Sequence, residues 1–319
     1  MVSAYIALYL FFAGAGGGAF LMGSFVDLVL RFRPDAGQGA FARVSAVTDP
    51  GLVLGPILVL ISAVFLVLDL GVPDKALILF SNSTPSLLSM GAWAIAAFVV
   101  FALLALVLGV MAGDGEETPW TADEAPGSIR AFVRVLEFVC SLVATALALF
   151  IVGYAGGFLS MYPSLPFLNT FWVPLLFVAS ALTTGEAALI VTAFFRQNMP
   201  GVSEGARLLT ALDVGLIVVE IVMLAGFLLS SLWEGGAGAT AALSLIGGNL
   251  ALTFWLGVVI VGLLVPLSVD VVGRAMAAPT VVAFGGACTL VGGLLLRIVL
   301  LMATQRFNLV FMSVLPFWS

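Results

Sequence analysis

The sequence contains no histidine, only two cysteines and, at 9% charged residues, little charge of either sign. Each shortage excludes something. Without histidine there is no imidazole to ligate haem, and a zinc site loses its commonest nitrogen ligand. Cys140 and Cys288 lie far apart, each inside an apolar run. An iron–sulfur cluster needs about four thiolates, so both cysteines read as buried apolar side chains. The protein is therefore expected to carry no haem and no metal of its own. Soluble domains carry about 25% charged residues. With 62% hydrophobic residues and so few charges, this sequence lacks the polar surface that water requires. Its 17 acidic and 11 basic residues leave a net charge of −6, and no basic patch marks it for nucleic acid.

What the sequence has instead is apolar length, with a mean hydropathy of +1.25. A membrane-spanning helix takes about 20 mostly apolar residues. Eight runs qualify: Tyr5–Leu30, Gly51–Leu70, Leu88–Ala112, Arg130–Gly156, Phe171–Arg196, Ala206–Ser231, Ile246–Asp270 and Thr280–Ala303. Turn residues punctuate them, as in Asp49-Pro50-Gly51, Gly71-Val72-Pro73-Asp74 and Pro200-Gly201. The first run has no basic stretch before it and exceeds the roughly 7–15 apolar residues of a signal-peptide core, so it reads as a retained helix.

Charge placement orients the helices. Arg31, Arg33, Arg43, Arg130, Arg134, Arg196, Arg207 and Arg274 flank the loops after helices 1, 3, 5 and 7, whereas the opposite side has only Lys75 and Arg306. Lysine and arginine favour the cytoplasmic side. Both termini are therefore expected outside, in a bacterial cytoplasmic (inner) membrane. The acidic, turn-rich loop 113–129 divides the sequence into halves. The expected fold is an all-α integral membrane protein of eight transmembrane helices in two four-helix bundles. Helices 1–3 (residues 1–112) and helix 4 (130–156) form the first bundle. Residues 113–129 are a cytoplasmic linker, 171–303 the second bundle and 304–319 a C-terminal tail.

Ionisable groups inside a membrane are costly and mark candidate sites. At the outer ends of the first four helices stand Asp69, Tyr154, Tyr5, Tyr9, Ser89 and Trp93. A quinone site needs this mixture: an apolar slot for the ring, a hydrogen-bond donor to a carbonyl, and a carboxylate to relay protons. The plainer reading is an aromatic belt, with Asp69 capping a turn near Lys75. Deeper in the second half lie Glu186, Asp213, Glu220 and Arg297. Asp213 and Glu220 are seven residues apart and share a helix face, roughly 10 Å apart along the axis, and Arg297 is a candidate partner for either. They form either a proton track or an ion-pair network that fixes packing. Gly14 and Gly18 make a G-x-x-x-G pair, which lets helices approach closely; small residues beside a flat ring also shape pockets.

Several segments resemble a known family. These are Tyr9-Leu10-Phe11-Phe12-Ala13-Gly14-Ala15-Gly16-Gly17-Gly18-Ala19, the helix 2 ending Leu68-Asp69-Leu70-Gly71-Val72-Pro73, the stretch from Tyr154-Ala155-Gly156-Gly157 through Pro166-Phe167-Leu168-Asn169-Thr170, and Gly292-Gly293-Leu294-Leu295-Leu296-Arg297. In order and spacing the sequence resembles the NrfD-like membrane subunits of the polysulfide and nitrite reductase type, and the related dimethyl sulfoxide reductase anchor. The resemblance implies a subunit that binds menaquinone or ubiquinone near the outer face. It implies electron exchange with a four-cluster ferredoxin-like iron–sulfur subunit, which serves a molybdenum or tungsten catalytic subunit. By position, Asp69 matches the family's acidic quinone-site residue and Tyr154 its quinone-bonding tyrosine, with Tyr9, Trp93, Gly14 and Gly18 as further pocket candidates. Helix 1 departs from relatives that place Asn or His near the quinone. Outer-loop residues Met161, Tyr162, Leu165, Phe167 and Leu168 are expected to be exposed for a partner. Two other readings remain: a secondary transporter using the buried acids, and a quinone-coupled proton pump.

Overall fold

The computed structural model describes residues 4–32, 40–69, 87–112, 127–161, 165–198, 202–276 and 279–314. Lys75, Tyr162, the Gly71-Val72-Pro73 turn and most of the acidic loop lie outside them. The described residues are mainly helical, with no strand among them. In sequence order the helices are α1 (Ala4–Phe32), α2 (Ala40–Thr48), α3 (Pro50–Asp69), α4 (Leu87–Ala112), α5 (Gly127–Ser160), α6 (Trp172–Phe195), α7 (Val202–Glu234) and α8 (Gly236–Ile246). A wide π-helix, Thr253–Leu264, then leads into α9 (Val265–Met276), and α10 (Pro279–Val314) follows. Eight spans are long and apolar enough to cross a membrane.

The spans agree with the expected eight, and the differences have local causes. A short helix, α2, precedes α3; the backbone turns at Asp49 and restarts at Pro50, whose fixed φ suits a first helical turn. The expected outer loop after α7 contains α8, entered through Gly235 and Gly236 at φ of 73° and 59°, a backbone region that glycine adopts without strain. The seventh span starts at Thr253, not Ile246, because Gly247 and Gly248 interrupt it. Helix α10 continues to Val314, through the stretch read as a tail from residue 304, because neither glycine nor proline interrupts that stretch before Pro316.

α1 and α6 are the central helices. In each, 72% of the most apolar window is buried, against 22% in α4. α1 lies between α3 and α6, α4 pairs with α5, and α6 also meets α5, α7 and α10. Without a hydrophobic force between helices in lipid, close packing and buried polar bonds must hold such a core. Glycines make the packing possible. A Cβ on Gly16 would come within 2.8 Å of the Gly55 carbonyl, and one on Gly23 within 2.7 Å of the Thr48 carbonyl. On the α6 side, a Cβ on Gly18 would strike the Ala181 carbonyl, and one on Gly185 the Gly18–Ala19 backbone. The G-x-x-x-G pair thus does pack helices. At the far end of α1, Arg31 grips Glu137 of α5 through two bonds of 2.7 and 2.8 Å.

Gly18→Val is expected to cost about 1–3 kcal/mol through overpacking, or to block assembly. Gly153→Ala, where a Cβ meets nothing within 4 Å, is expected to be neutral or stabilising by up to about 1 kcal/mol through helix propensity. Thermal unfolding in detergent separates the two outcomes.

Candidate functional site

At the ends of the first four spans where α1 begins and α3 closes, the structure builds an aromatic wall. Phe65 of α3 stacks on Phe12 of α1 at 5.5 Å and on Tyr5 at 6.5 Å. Tyr154 of α5 stacks with Phe150 at 5.6 Å and leans on Phe158 at 5.7 Å. Its phenol fills the notch left by Gly91 of α4, where a Cβ would come within 2.9 Å of the hydroxyl oxygen. Tyr154 is half-buried, so it joins α4 to α5 while keeping part of its ring outside the core. Tyr9 is buried in the same core cluster as Ala94, Ile95 and Ile151.

The other candidates are arranged less compactly. Asp69 is the last residue of α3 and is half-buried; the residues that follow it lie outside the described set. Trp93 is 54% exposed. Gly14 and Gly18 both face α6 at the Ala181 turn. Beyond Tyr154, Met161 is exposed, but Phe167 and Leu168 are buried. That is a correction to the expected exposed loop. Backbone bonds from the Leu168 and Asn169 amides to the Leu165 carbonyl curl the segment inward, and Phe167 meets Phe227 of α7 at 4.8 Å.

The deep polar residues fall into two groups. In the first, Glu220 of α7 accepts a 2.6 Å bond from the Thr183 hydroxyl of α6, and the Ser180 hydroxyl also faces it. Arg297 of α10 donates to Ser180 Oγ at 3.2 Å and to the Gly293 carbonyl at 2.7 Å. Its guanidinium lies 5.7 Å from the ring centroids of both Phe11 and Phe177. Gly14 is glycine for a reason visible here: a Cβ would come within 2.8 Å of Arg297 Nη2. Arg297 therefore faces Glu220 through Ser180 and does not partner Asp213, and none of the ion pairs among the described residues includes it.

The second group is acidic. Asp213 of α7 shares a hydrogen bond with Asp270 of α9, and Glu186 of α6 is within electrostatic reach of both. A bond between two carboxyl groups requires a proton on one of them. Glu186 is fully buried, and neither of its oxygens has a protein partner. Buried polar atoms are usually bonded, so the two Glu186 oxygens are exceptions among the described residues. Reading the sequence missed Asp270, which stands where a helix was expected to end. It also missed Ser180 and Thr183, whose roles depend on contacts with distant segments. Glu137 was missed too, although an acid within Val135-Leu136-Glu137-Phe138-Val139 is a visible signal.

Comparison with known proteins identifies the family. The family model described as "Polysulphide reductase, NrfD" matches residues 2–308. The sequence is 30% identical over 308 residues to "Protein NrfD" of Escherichia coli (strain K12), spanning 94% of this protein and 93% of the relative. It is 29% identical over 275 residues to the C subunit of polysulfide reductase from Wolinella succinogenes, spanning 83% and 81%. A "Protein NrfD homolog" of Haemophilus influenzae is 26% identical over 276 residues, spanning 82% and 80%.

Arg297 and Glu220 are buried and face each other through Ser180, so removing one leaves the other's charge without its counterpart. Arg297→Met is expected to destabilise the protein by about 3–5 kcal/mol, and Glu220→Leu added to it to restore much of that loss. Equilibrium unfolding of both single variants and the double variant measures the coupling.

Proposed function

Because this chain belongs to the polysulphide reductase, NrfD family, we propose that it is the membrane subunit of a respiratory oxidoreductase, exchanging electrons with quinone at the outer face of the bacterial inner membrane. The eight spans form two four-helix bundles with both termini outside. The observation that carries the reading is the Tyr154 phenol, seated in the Gly91 notch between Phe150 and Phe158. A hydroxyl held in an aromatic wall suits a flat ring that bears carbonyl oxygens.

The residues present fit menaquinone or ubiquinone. When bound, such a quinone supplies two-electron, two-proton redox chemistry. The wall of Tyr5, Phe12 and Phe65 gives an apolar face for the ring. Tyr154 donates a hydrogen bond. Tyr9 closes the buried side, and Trp93 borders the bilayer, where an isoprenoid tail would run. Gly14 and Gly18 let α1 sit close enough to α6 for these groups to converge. Asp69, at the outer end of α3, takes up protons and passes them to the outer aqueous face.

With no histidine and two separated cysteines, electrons must pass to redox centres on another subunit. We place a four-cluster ferredoxin-like iron–sulfur subunit against the outer ends of α5, α6 and α7, where Met161, Phe171 and Trp233 are exposed. A molybdenum or tungsten catalytic subunit lies beyond it. A second activity is favoured by the polar groups of the second half. Glu186, Asp213 and Asp270 hold protons, and Glu220, Ser180 and Arg297 extend that series of groups toward Gly14 and the first bundle, so quinone turnover is coupled to proton movement.

Titration of the purified complex with a fluorescent quinol-analogue inhibitor tests the site. One saturable site per protomer is expected. Asp69→Asn and Tyr154→Phe each weaken it about tenfold, the loss of one hydrogen bond to a charged or buried group. Absence of saturable binding in the wild type would remove quinone from this subunit. In vesicles, Glu220→Gln is expected to leave inhibitor binding intact while lowering the proton-to-electron ratio; an unchanged ratio would refute the coupled track.

A further inference from the structure

The far end of the first four spans contains a feature that neither the quinone reading nor the polar track uses. A cavity of about 860 Å³ opens there, at the end of α1 remote from Tyr9. Its floor includes Phe20, which meets Phe98 edge-on at 5.0 Å. Ala102 and Leu52 line its depth. Its side is open to the bilayer: Val53 and Val110 line it and are 49% and 62% exposed. Among the described residues its mouth is charged, and it holds Asp27, Arg31, Asp49, Arg134 and Glu137.

The charges are divided between walls. Arg31 is engaged by Glu137 at 2.7 and 2.8 Å and by Asp27 at 2.8 Å, which ties α1 to α5. Asp49 stands at the α2–α3 junction on one side, and Arg134 of α5 on the other. Both are exposed. A third guanidinium, Arg196 just beyond α6, donates to the Ala46 carbonyl at 3.2 Å and faces Asp49, so three carboxylates stand against three guanidiniums.

We propose that this cavity binds one phospholipid with a zwitterionic, amine-bearing headgroup. The ammonium meets Asp49, the phosphate meets Arg134, and one acyl tail runs along Leu52 and Ala102 to Phe20. Three observations converge on that class of ligand. The polar mouth and apolar floor match an amphiphile that keeps its head at the water boundary and its tail in the membrane. The volume lies within the roughly 300–1,000 Å³ usual for small-molecule sites. Balanced charges do not call for a headgroup of one net sign, and opposed charges on facing walls suit one that carries both signs. So placed, the headgroup links the α2–α3 wall to α5, beside the clamp that Arg31 already makes.

The test is native mass spectrometry of the full-length protein, released from nanodiscs containing phosphatidylethanolamine, phosphatidylglycerol and menaquinone. One phosphatidylethanolamine per protomer is expected to survive activation that strips the other lipids. Asp49→Asn, a change at an exposed side chain that leaves the core intact, is expected to lower its preference over phosphatidylglycerol about tenfold, the loss of one charge-assisted bond. Arg134→Gln weakens retention of either phospholipid, and Ala102→Phe, which fills the floor, abolishes it. Asp69→Asn leaves retention unchanged, so a failure of the quinone reading is separable from a failure here. The proposal is overturned if the wild type retains no phospholipid, retains both equally, or holds menaquinone in this cavity, or if Asp49→Asn leaves the preference unchanged.

Discussion

Close approach of α1 to its two neighbours is the constraint on which the rest of the structure depends. In a bilayer, lipid tails satisfy apolar side chains as well as another helix does, so helices associate only where they fit more closely than lipid does. α1 meets this with glycine on two faces. Gly16 and Gly23 admit α3, and Gly14 and Gly18 admit α6. The same contacts determine where chemistry can occur. With α6 this near, the guanidinium of Arg297 reaches over Gly14 and between Phe11 and Phe177. With α3 this near, Phe65 stacks on Phe12 and Tyr5.

The buried charges show how a membrane protein keeps ions away from water. Arg297 is 1% exposed, and a guanidinium at that depth needs substitutes for its hydration shell. It finds a hydroxyl, a backbone carbonyl, two aromatic faces and, through Ser180, the field of Glu220. The acids nearby are arranged differently: Asp213 and Asp270 share a hydrogen bond, and among the described residues neither Glu186 oxygen has a protein partner. One fold thus contains a guanidinium ringed by partners and, apart from it, a cluster of three buried carboxyls. The two groups meet along α7, which carries both Asp213 and Glu220.

Much of this was legible in the sequence because burial in lipid is written in runs of about 20 residues. The eight spans, the G-x-x-x-G contact and the separation of the aromatic group at the span ends from the deeper acidic residues could all be read directly. The illegible parts depend on neighbours. The Ser180–Arg297 bond joins residues 117 apart, and nothing local marks that serine. Asp270 looked like the end of a helix because its importance comes from Asp213. Phe167 and Leu168 looked exposed because a short apolar loop gives no sign that it curls onto α7. The cavity beside Arg31 was invisible for the same reason, since it is the space left among five helices.

The glycine-rich character of α1 bears on how the protein enters the membrane. α1 and α6 are the most buried spans and also the least apolar of the eight. The residues that let them pack are those that give a nascent helix little reason to leave the translocon for lipid. The first of the eight spans is therefore among the weakest insertion signals in the protein. Its lateral release is best matched to the arrival of strongly apolar α3, so that the two partition together as a hairpin. The centre of the structure is thus the part that depends most on its neighbours to remain in the membrane.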